Sequence, residues 1–221
     1  MRVKIKTSST SNKQVPRHHL KKLKGTIHKW IGGRDYHGEL GAFSFSKLNG
    51  GVSFSKDFLT YPKGAFWFIS SPDTAFIKRV IRGIQEDPSM FFGLEVEEIQ
   101  LLKDPEFKKE VRFLADSPIL VKKKRTENRG VDHLTFQDPE ADEIMTNLMK
   151  RKLKSVGLTD EIQITFDRSY QGANTTVVVY NGVKNKCSIC PVIISGNPEA
   201  IAYAWNVGVG NSTGTGFGAI R

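Results

Sequence analysis

Cysteine is nearly absent: the 221 residues hold two, Cys187 and Cys190. A secreted scaffold stapled by several disulfides is thereby excluded. The two form a C-x-x-C pair, half of a four-ligand zinc site, but no further cysteine and no well-spaced histidine follows. A redox pair normally opens a helix, whereas "KCSICPVIIS" reads as a strand. Two structural thiols are expected. Long apolar runs are missing too. Nothing approaches the roughly 20 residues needed to span a bilayer. "RVKIKT" after Met1 lacks the apolar stretch of a secretory signal, so a cytoplasmic protein with no membrane partner is expected. Acidic residues are the minority charge: 23 Asp and Glu face 33 Lys and Arg, a net charge of +10.

Such an excess of cations points to a polyanionic partner, through steering and counterion release. The positive charge is clustered in "RHHLKKLKGTIHK" (17–29) and "VKKKRTENR" (121–129). In the first cluster Leu20, Leu23, Ile27, Trp30 and Ile31 recur at helical spacing, while Lys21, Lys24 and His28 recur on a different face. The spacing predicts an amphipathic helix with a basic side, started near Pro16 and ended by Gly32-Gly33. In the second cluster Lys122, Lys123, Lys124 and Arg125 form a run, read as a phosphate track rather than a merely solvated face.

Along the chain, strands are predicted at 2–7 and 64–70, with a hairpin in which "KLNGG" joins "AFSFS" (42–46) to "GVSFS" (51–55). A helix covers 73–87, and "SMFFGL" and "EVEEIQLL" supply further strand pattern. The order then repeats: strands in "ILVKKK" and "DHLTF", a long helix over 138–157, strands in "EIQITF", "TTVVVY" and "CSICPVIIS", and a short helix over 197–208 with Asn197 as N-cap and Pro198 behind it. The fold class is α+β: two tandem ferredoxin-like βαββαβ domains, over 1–117 and 118–221.

The stretch "GVGNSTGTGFGAIR" (208–221) places Gly208, Gly210, Gly214, Gly216 and Gly218 within eleven residues. Gly208 suits the end of the preceding helix. A P-loop would require Lys-Ser/Thr after its last glycine, and here Ala219-Ile220 follow. A dinucleotide fingerprint would place a third glycine where Thr213 stands. No nucleotide cofactor is expected. The spacing that holds is Gly-Val-Gly, five residues, Gly-Phe-Gly. Such a loop lies flat against another surface and presents N–H groups to backbone phosphates. With the charge and the doubled fold pattern, an RNA strand is the expected polyanion.

Four stretches now resemble one family. "GNPEAIAYAWNVGVGNSTGTGFGAI" resembles the C-terminal signature of the RAMP superfamily, specifically the CRISPR-associated endoribonucleases that cut precursor CRISPR RNA within its repeats. "DYHGELGAFSFSKL" (35–48) resembles the stretch where a catalytic histidine precedes a Phe-x-Phe-Ser strand. "SPILVKK" (117–123) is similar to the start of the family's second domain, and "NLMKRK" (147–152) to part of its long helix. The resemblance implies two ferredoxin-like domains side by side, with the glycine loop at the RNA-binding and interdomain surface. It also implies metal-independent cleavage of CRISPR repeat RNA, in which a 2′-hydroxyl attacks the adjacent phosphorus to leave a 2′,3′-cyclic phosphate and a 5′-hydroxyl. Association with effector-complex subunits and pairing with a second copy are both left open.

That chemistry needs a base, an acid and a cation or N–H donors at the phosphate, and histidine suits the first two. His37 matches the family's catalytic histidine. His28 stands near a position where many members have tyrosine, so it is read either as a second catalytic histidine or as a phosphate-contacting or solvated residue. Arg34 and Lys47 flank the histidine loop as candidate cations, although the family's lysine close after the histidine has no counterpart here. His18 and His19 are read as RNA contacts or solvated residues, and His133 as structural. Ser44 and Ser46 are read either as ordinary strand polarity or as hydrogen-bond partners for RNA. Tyr170 could stack on a base; Trp205 is expected in the core. The alternatives to a repeat-specific endoribonuclease are a non-catalytic RAMP subunit that coats guide RNA and a general basic RNA-binding protein.

Overall fold

The structure is a computed structural model that describes residues 1–9, 14–32, 42–125 and 130–221. In chain order it runs β1 (Arg2–Ser9), β2 (Val15–Pro16), α1 (Leu20–Trp30), β3 (Ser44–Phe45), β4 (Val52–Ser53), β5 (Phe58–Thr60), β6 (Phe66–Ser70), α2 (Thr74–Glu86) and β7 (Leu94–Leu102). It continues with β8 (Glu110–Phe113), β9 (Val121–Lys124), β10 (Val131–Leu134), α3 (Glu140–Ser155), β11 (Ile162–Phe166), β12 (Asn174–Tyr180), β13 (Val183–Ile189), β14 (Val192–Gly196) and α4 (Pro198–Val207), then a 3₁₀ turn at Thr213–Thr215. Among the described residues no helix is long and apolar enough to cross a membrane.

Two sheets carry the fold. The first has the antiparallel order β3-β6-β1-β7. Counting its strands 1 to 4 along the chain, the spatial order is 2-3-1-4, with α1 after the first strand and α2 after the third. The second sheet repeats this as β11-β14-β8, and Ile220 bridges Ala115 at the place of a fourth strand. Two ferredoxin-like units in tandem result. Because β8 is hydrogen-bonded into the second sheet, the change from one sheet to the other falls between Leu102 and Glu110, ahead of the 117/118 division expected from sequence.

Each helix forms for local reasons and is held by burial. In α1, Leu20, Leu23, Ile27 and Trp30 share one face and are buried. In α2, Asp73 caps the first turn by accepting from the Ala75 amide at 2.8 Å, and Phe76, Ile77, Val80 and Ile84 face inward. The two helices cross where a side chain on Gly83 would overlap the carbonyl of Trp30. Asn197 caps α4 by accepting from the Glu199 amide at 2.8 Å. One core gathers Val3, Ile5, Leu23, Trp67 and Phe76, with Trp30 and Trp67 stacked at 5.9 Å. The other gathers Phe113, Met145, Ile164, Ile194 and Trp205. Leu120, Val178, Cys187 and Phe217, from the second half of the chain, pack into the first core.

Four local expectations are corrected. Strands β3 and β4 do not pair across "KLNGG"; β3 pairs with β6, and β4 with β5. Pro16 lies in β2, not at the start of α1. "SMFFGL" turns before β7 with Phe92 and Gly93 at positive φ. "CSICPVIIS" spans two strands, β13 and β14, broken at Cys190-Pro191, where proline has no N–H for a ladder. Both thiols are free and buried. Burial pushes the Cys187 thiol up to about 12 and Cys190 to about 11, which suits structural rather than reactive sulfur.

Candidate nucleic-acid interface

Helix α1 sets the first part of the site. Residues 21, 24 and 28 follow one another at i, i+3 and i+7, so Lys21, Lys24 and His28 lie along one flank. Lys21 is exposed, and Lys24 and His28 are half-buried. Arg34 and His37, expected just beyond this helix, lie outside the described residues. The two histidines before the helix part company. His18 is exposed, but His19 is buried: its Nδ1 donates to the Pro16 carbonyl at 2.9 Å and its Nε2 accepts from the Leu48 amide at 3.2 Å. Those two bonds select the neutral ring, and burial lowers its pKa to about 4. His19 is therefore neither solvated nor placed to meet RNA.

The glycine stretch packs between the two halves. Gly208, Gly210, Gly216 and Gly218 are buried. A Cβ on Gly216 would lie 2.7 Å from the Phe45 ring and 2.9 Å from Leu20. Gly218, with φ +66°, leaves no room for a side chain beside the Val209 carbonyl. Gly210 faces the Leu120 carbonyl and Gly208 the Gly218 carbonyl. These four glycines let backbone approach backbone and ring within this chain, and the loop's more accessible edge lies between them. That edge is Asn211, Ser212, half-buried Gly214 and Thr215.

Asn211 joins the loop to the second basic cluster. Its side-chain oxygen accepts from the Lys122 amide at 2.8 Å, and its own amide donates to Leu120 at 2.7 Å. The loop therefore runs from Leu20, one helical turn before Lys24, to the edge of β9. The lysine run does not act as a block. Lys123 is ion-paired with Glu140 of α3 at 2.6 Å, and Arg125 with Asp132 of β10 at 2.6 Å. Lys122 and Lys124 alternate with them on the strand and make no ion pair among the described residues. A groove of about 710 Å³ beside β9 brings Lys122, Lys124, Asn211 and Arg151 together. Arg151 stands two residues before Leu153, where the buried α3 stripe closes, and only the packing of α3 on β9 reveals its place. His133 stands opposite Lys122 across β10, and its Nδ1 accepts from the Lys186 amide.

A second opening of about 420 Å³ lies between the halves. Arg17, His18 and exposed Lys47 line one side, and Pro118, Thr176 and Val177 the other. Ser44 and Ser46, just before Lys47, are fully buried. Ser44 donates to the Asn206 carbonyl at 2.9 Å, and Ser46 accepts from the Phe68 amide at 3.0 Å. They serve the seam and the sheet rather than RNA. Trp205 is buried as expected, and Tyr170 is 43% exposed with the Arg112 guanidinium 5.4 Å from its ring.

Residues 102–221, just over half the chain, match the family described as CRISPR associated protein Cas6, C-terminal. No curated protein matches the sequence. Among solved structures the chain is similar to one described as CRISPR associated protein Cas6, at 20% identity and a TM-score of 0.84, covering 100% of this chain and 98% of that one. It is also similar to a Cas6-related protein from Pyrococcus furiosus, at 20% identity and a TM-score of 0.86, covering 100% and 97%. A third, described as an RAMP protein binding different RNA substrates, has 19% identity and a TM-score of 0.85 over 100% and 98%. At such identities these likenesses speak to the fold, and they agree with the tandem ferredoxin-like units traced above. With its second half matched as a continuous stretch through the glycine loop, this chain belongs to the CRISPR-associated Cas6 family.

Proposed function

We propose that this protein is a metal-independent endoribonuclease that binds CRISPR repeat RNA and cuts it within precursor transcripts. One observation carries the reading beyond family membership. The glycine loop packs on α1 at Leu20, one turn before Lys24, and is hydrogen-bonded to β9 at Lys122, two residues before Lys124. A phosphate backbone laid along that line meets cations at both ends and polar groups between them.

The chemistry requires no group beyond the side chains. A base removes the 2′-hydroxyl proton, the 2′-oxygen bonds to the adjacent phosphorus, and the bond from phosphorus to the 5′-oxygen breaks. An acid supplies the departing oxygen with a proton. The products are a 2′,3′-cyclic phosphate and a 5′-hydroxyl end. His37 and His28 are assigned the two proton transfers, and Arg34 and Lys47 the charge on the crowded phosphate.

The test is a cleavage gel with the host's repeat RNA in EDTA. A single cut is expected, abolished by a 2′-deoxy substitution at the cut site. His37→Ala should lower the rate by on the order of 10²-fold or more, with affinity unchanged. A need for added magnesium, or full activity in His37→Ala, would overturn the mechanism. Tight binding with no cut in any repeat would favour a non-catalytic RNA-coating subunit instead.

A further inference from the structure

The small sheet β2-β5-β4 turns one face to the core and the other to water. In β4 and β5, Val52 pairs with Thr60 and Ser53 with Leu59. Beyond them the amides of Phe54 and Ser55 both donate to the Phe58 carbonyl at 3.2 Å. Continuing that register sets Phe54 opposite Phe58. β2 adds Val15 against Leu59 and Pro16 against Phe58. Alternation sends Val15 and Leu59 into the first core. It sends Val52, Phe54 and Phe58 outward, at 56, 60 and 36% exposure. One exposed ring is ordinary; a row of three apolar side chains on the outer face of a sheet marks a contact surface.

Two further features say what the surface meets. First, the hairpin is held in shape: the Arg17 guanidinium donates to the Lys56 and Ser55 carbonyls and to the Ser53 hydroxyl, and the Arg17 amide to the Asp57 carbonyl. The rings are presented on an ordered support. Second, the charge around them is positive. Lys47, Lys56, Lys63 and Arg17 are set against the single acid Asp57 within 47–63 and its β2 neighbour. The strand enters directly from Asn49, Gly50 and Gly51, which with Arg17, Lys47 and Leu59 line the opening between the halves. Flat aromatic faces ringed by cations, without a shaped apolar groove, are the chemistry of single-stranded nucleic acid binding.

We propose that the hairpin Val52–Thr60 is a stacking platform for unpaired nucleotides of RNA. Bases stack on Phe54 and Phe58, and Lys56 neutralises a neighbouring phosphate. Cross-strand neighbours sit about 5 Å apart, so the pair spans one or two nucleotides. The proposal rests on the RNA-binding reading above and adds where the unpaired part of the strand lies.

Anisotropy titrations with two fluorescein-labelled probes, the full repeat RNA and a 12-nucleotide polyuridylate, test it, with each variant's fold checked by thermal unfolding. Phe54→Ala/Phe58→Ala should weaken both probes about tenfold or more. Phe54→Tyr/Phe58→Tyr should bind like wild type, and Phe54→Leu/Phe58→Leu, which keeps apolar volume and the folded hairpin, should stay weak. RNA carrying 5-iodouridine should photocrosslink to the peptide that holds Phe54 and Phe58. If wild type binds the repeat and the leucine pair binds it equally well, the platform is wrong while the RNA reading stands. If wild type binds neither probe, the RNA reading itself fails and the platform with it. A wild-type dimer that the alanine pair dissolves, with RNA affinity unchanged, would make this face a contact between copies and overturn the proposal.

Discussion

The guanidinium of Arg2 lies 3.6 Å from the centre of the Trp205 ring and donates to the carbonyl of that same residue at 3.0 Å. On its other side is the Phe68 ring at 3.7 Å, and a second hydrogen bond reaches the Ile220 carbonyl at 2.8 Å. A residue of β1 thereby locks onto α4 and onto the strand position of Ile220. Asn206, next to Trp205, continues the seam by accepting from Ser44 at its carbonyl and from Ser70 at its side chain. The two ferredoxin-like units are joined by polar and stacked contacts as well as by shared core residues.

Arg2→Met is therefore expected to lower unfolding stability by about 2–4 kcal/mol, since it removes two hydrogen bonds from a buried cation and a doubly stacked plane. Arg2→Lys should also destabilise, because an ammonium cannot stack or fork in this way. Urea titration checks both; a Lys variant as stable as wild type would show that charge alone suffices.

The glycines should divide by what surrounds them. Gly218→Ala should cost about 3 kcal/mol or more, because positive φ and the Val209 carbonyl both exclude a side chain. Gly214→Ala should cost less, since the nearest atoms to its Cβ belong to the Phe43 ring, at 3.3 Å, rather than to backbone. Thermal unfolding of the two variants side by side measures the difference.

The lysine run should divide as well. Lys122→Gln/Lys124→Gln should weaken RNA binding and reduce the slope of log K against log salt by between one and two. Lys123→Gln/Arg125→Gln should change the slope less, because Glu140 and Asp132 already hold those cations. Titrations at four salt concentrations suffice; equal slopes for the two variants would mean that the ion pairs open on binding.

Acid should weaken the fold through His19. Its ring titrates near 4 when folded and near 6.5 when unfolded, so the unfolded chain takes the proton first. Stability present above pH 6.5 should be lost as the pH falls towards 4, by up to roughly 3 kcal/mol. His19→Gln should start from lower stability, because the Leu48 amide loses its acceptor, and should lack that component of the acid dependence. Urea midpoints from pH 4.5 to 8 test the sign.

His28→Ala should slow RNA cleavage clearly, though less than His37→Ala, and leave affinity near wild type. The wild-type rate should follow a bell-shaped pH profile with both limbs near neutrality. A variant that lost affinity and rate together would make His28 a phosphate contact instead.

What the sequence determined by itself is the part that depends on near neighbours. Leu20, Leu23, Ile27 and Trp30 on one side of α1, with Lys21, Lys24 and His28 on another, follow from helical spacing, and both ferredoxin-like units are legible because each element announces its own period. Caps such as Asp73 and Asn197 are legible for the same reason. The tertiary structure decided what distant residues do to one another. It set β3 against β6 rather than β4, and gave β8 to the second sheet. It buried His19 between Pro16 and Leu48, and spent Lys123 and Arg125 on Glu140 and Asp132. It turned the glycines inward and left Asn211 at the rim to meet Lys122. Strand partners, ion pairs and close backbone approaches arise between segments tens of residues apart, and no local periodicity encodes which of several compatible partners will be nearest once the cores close.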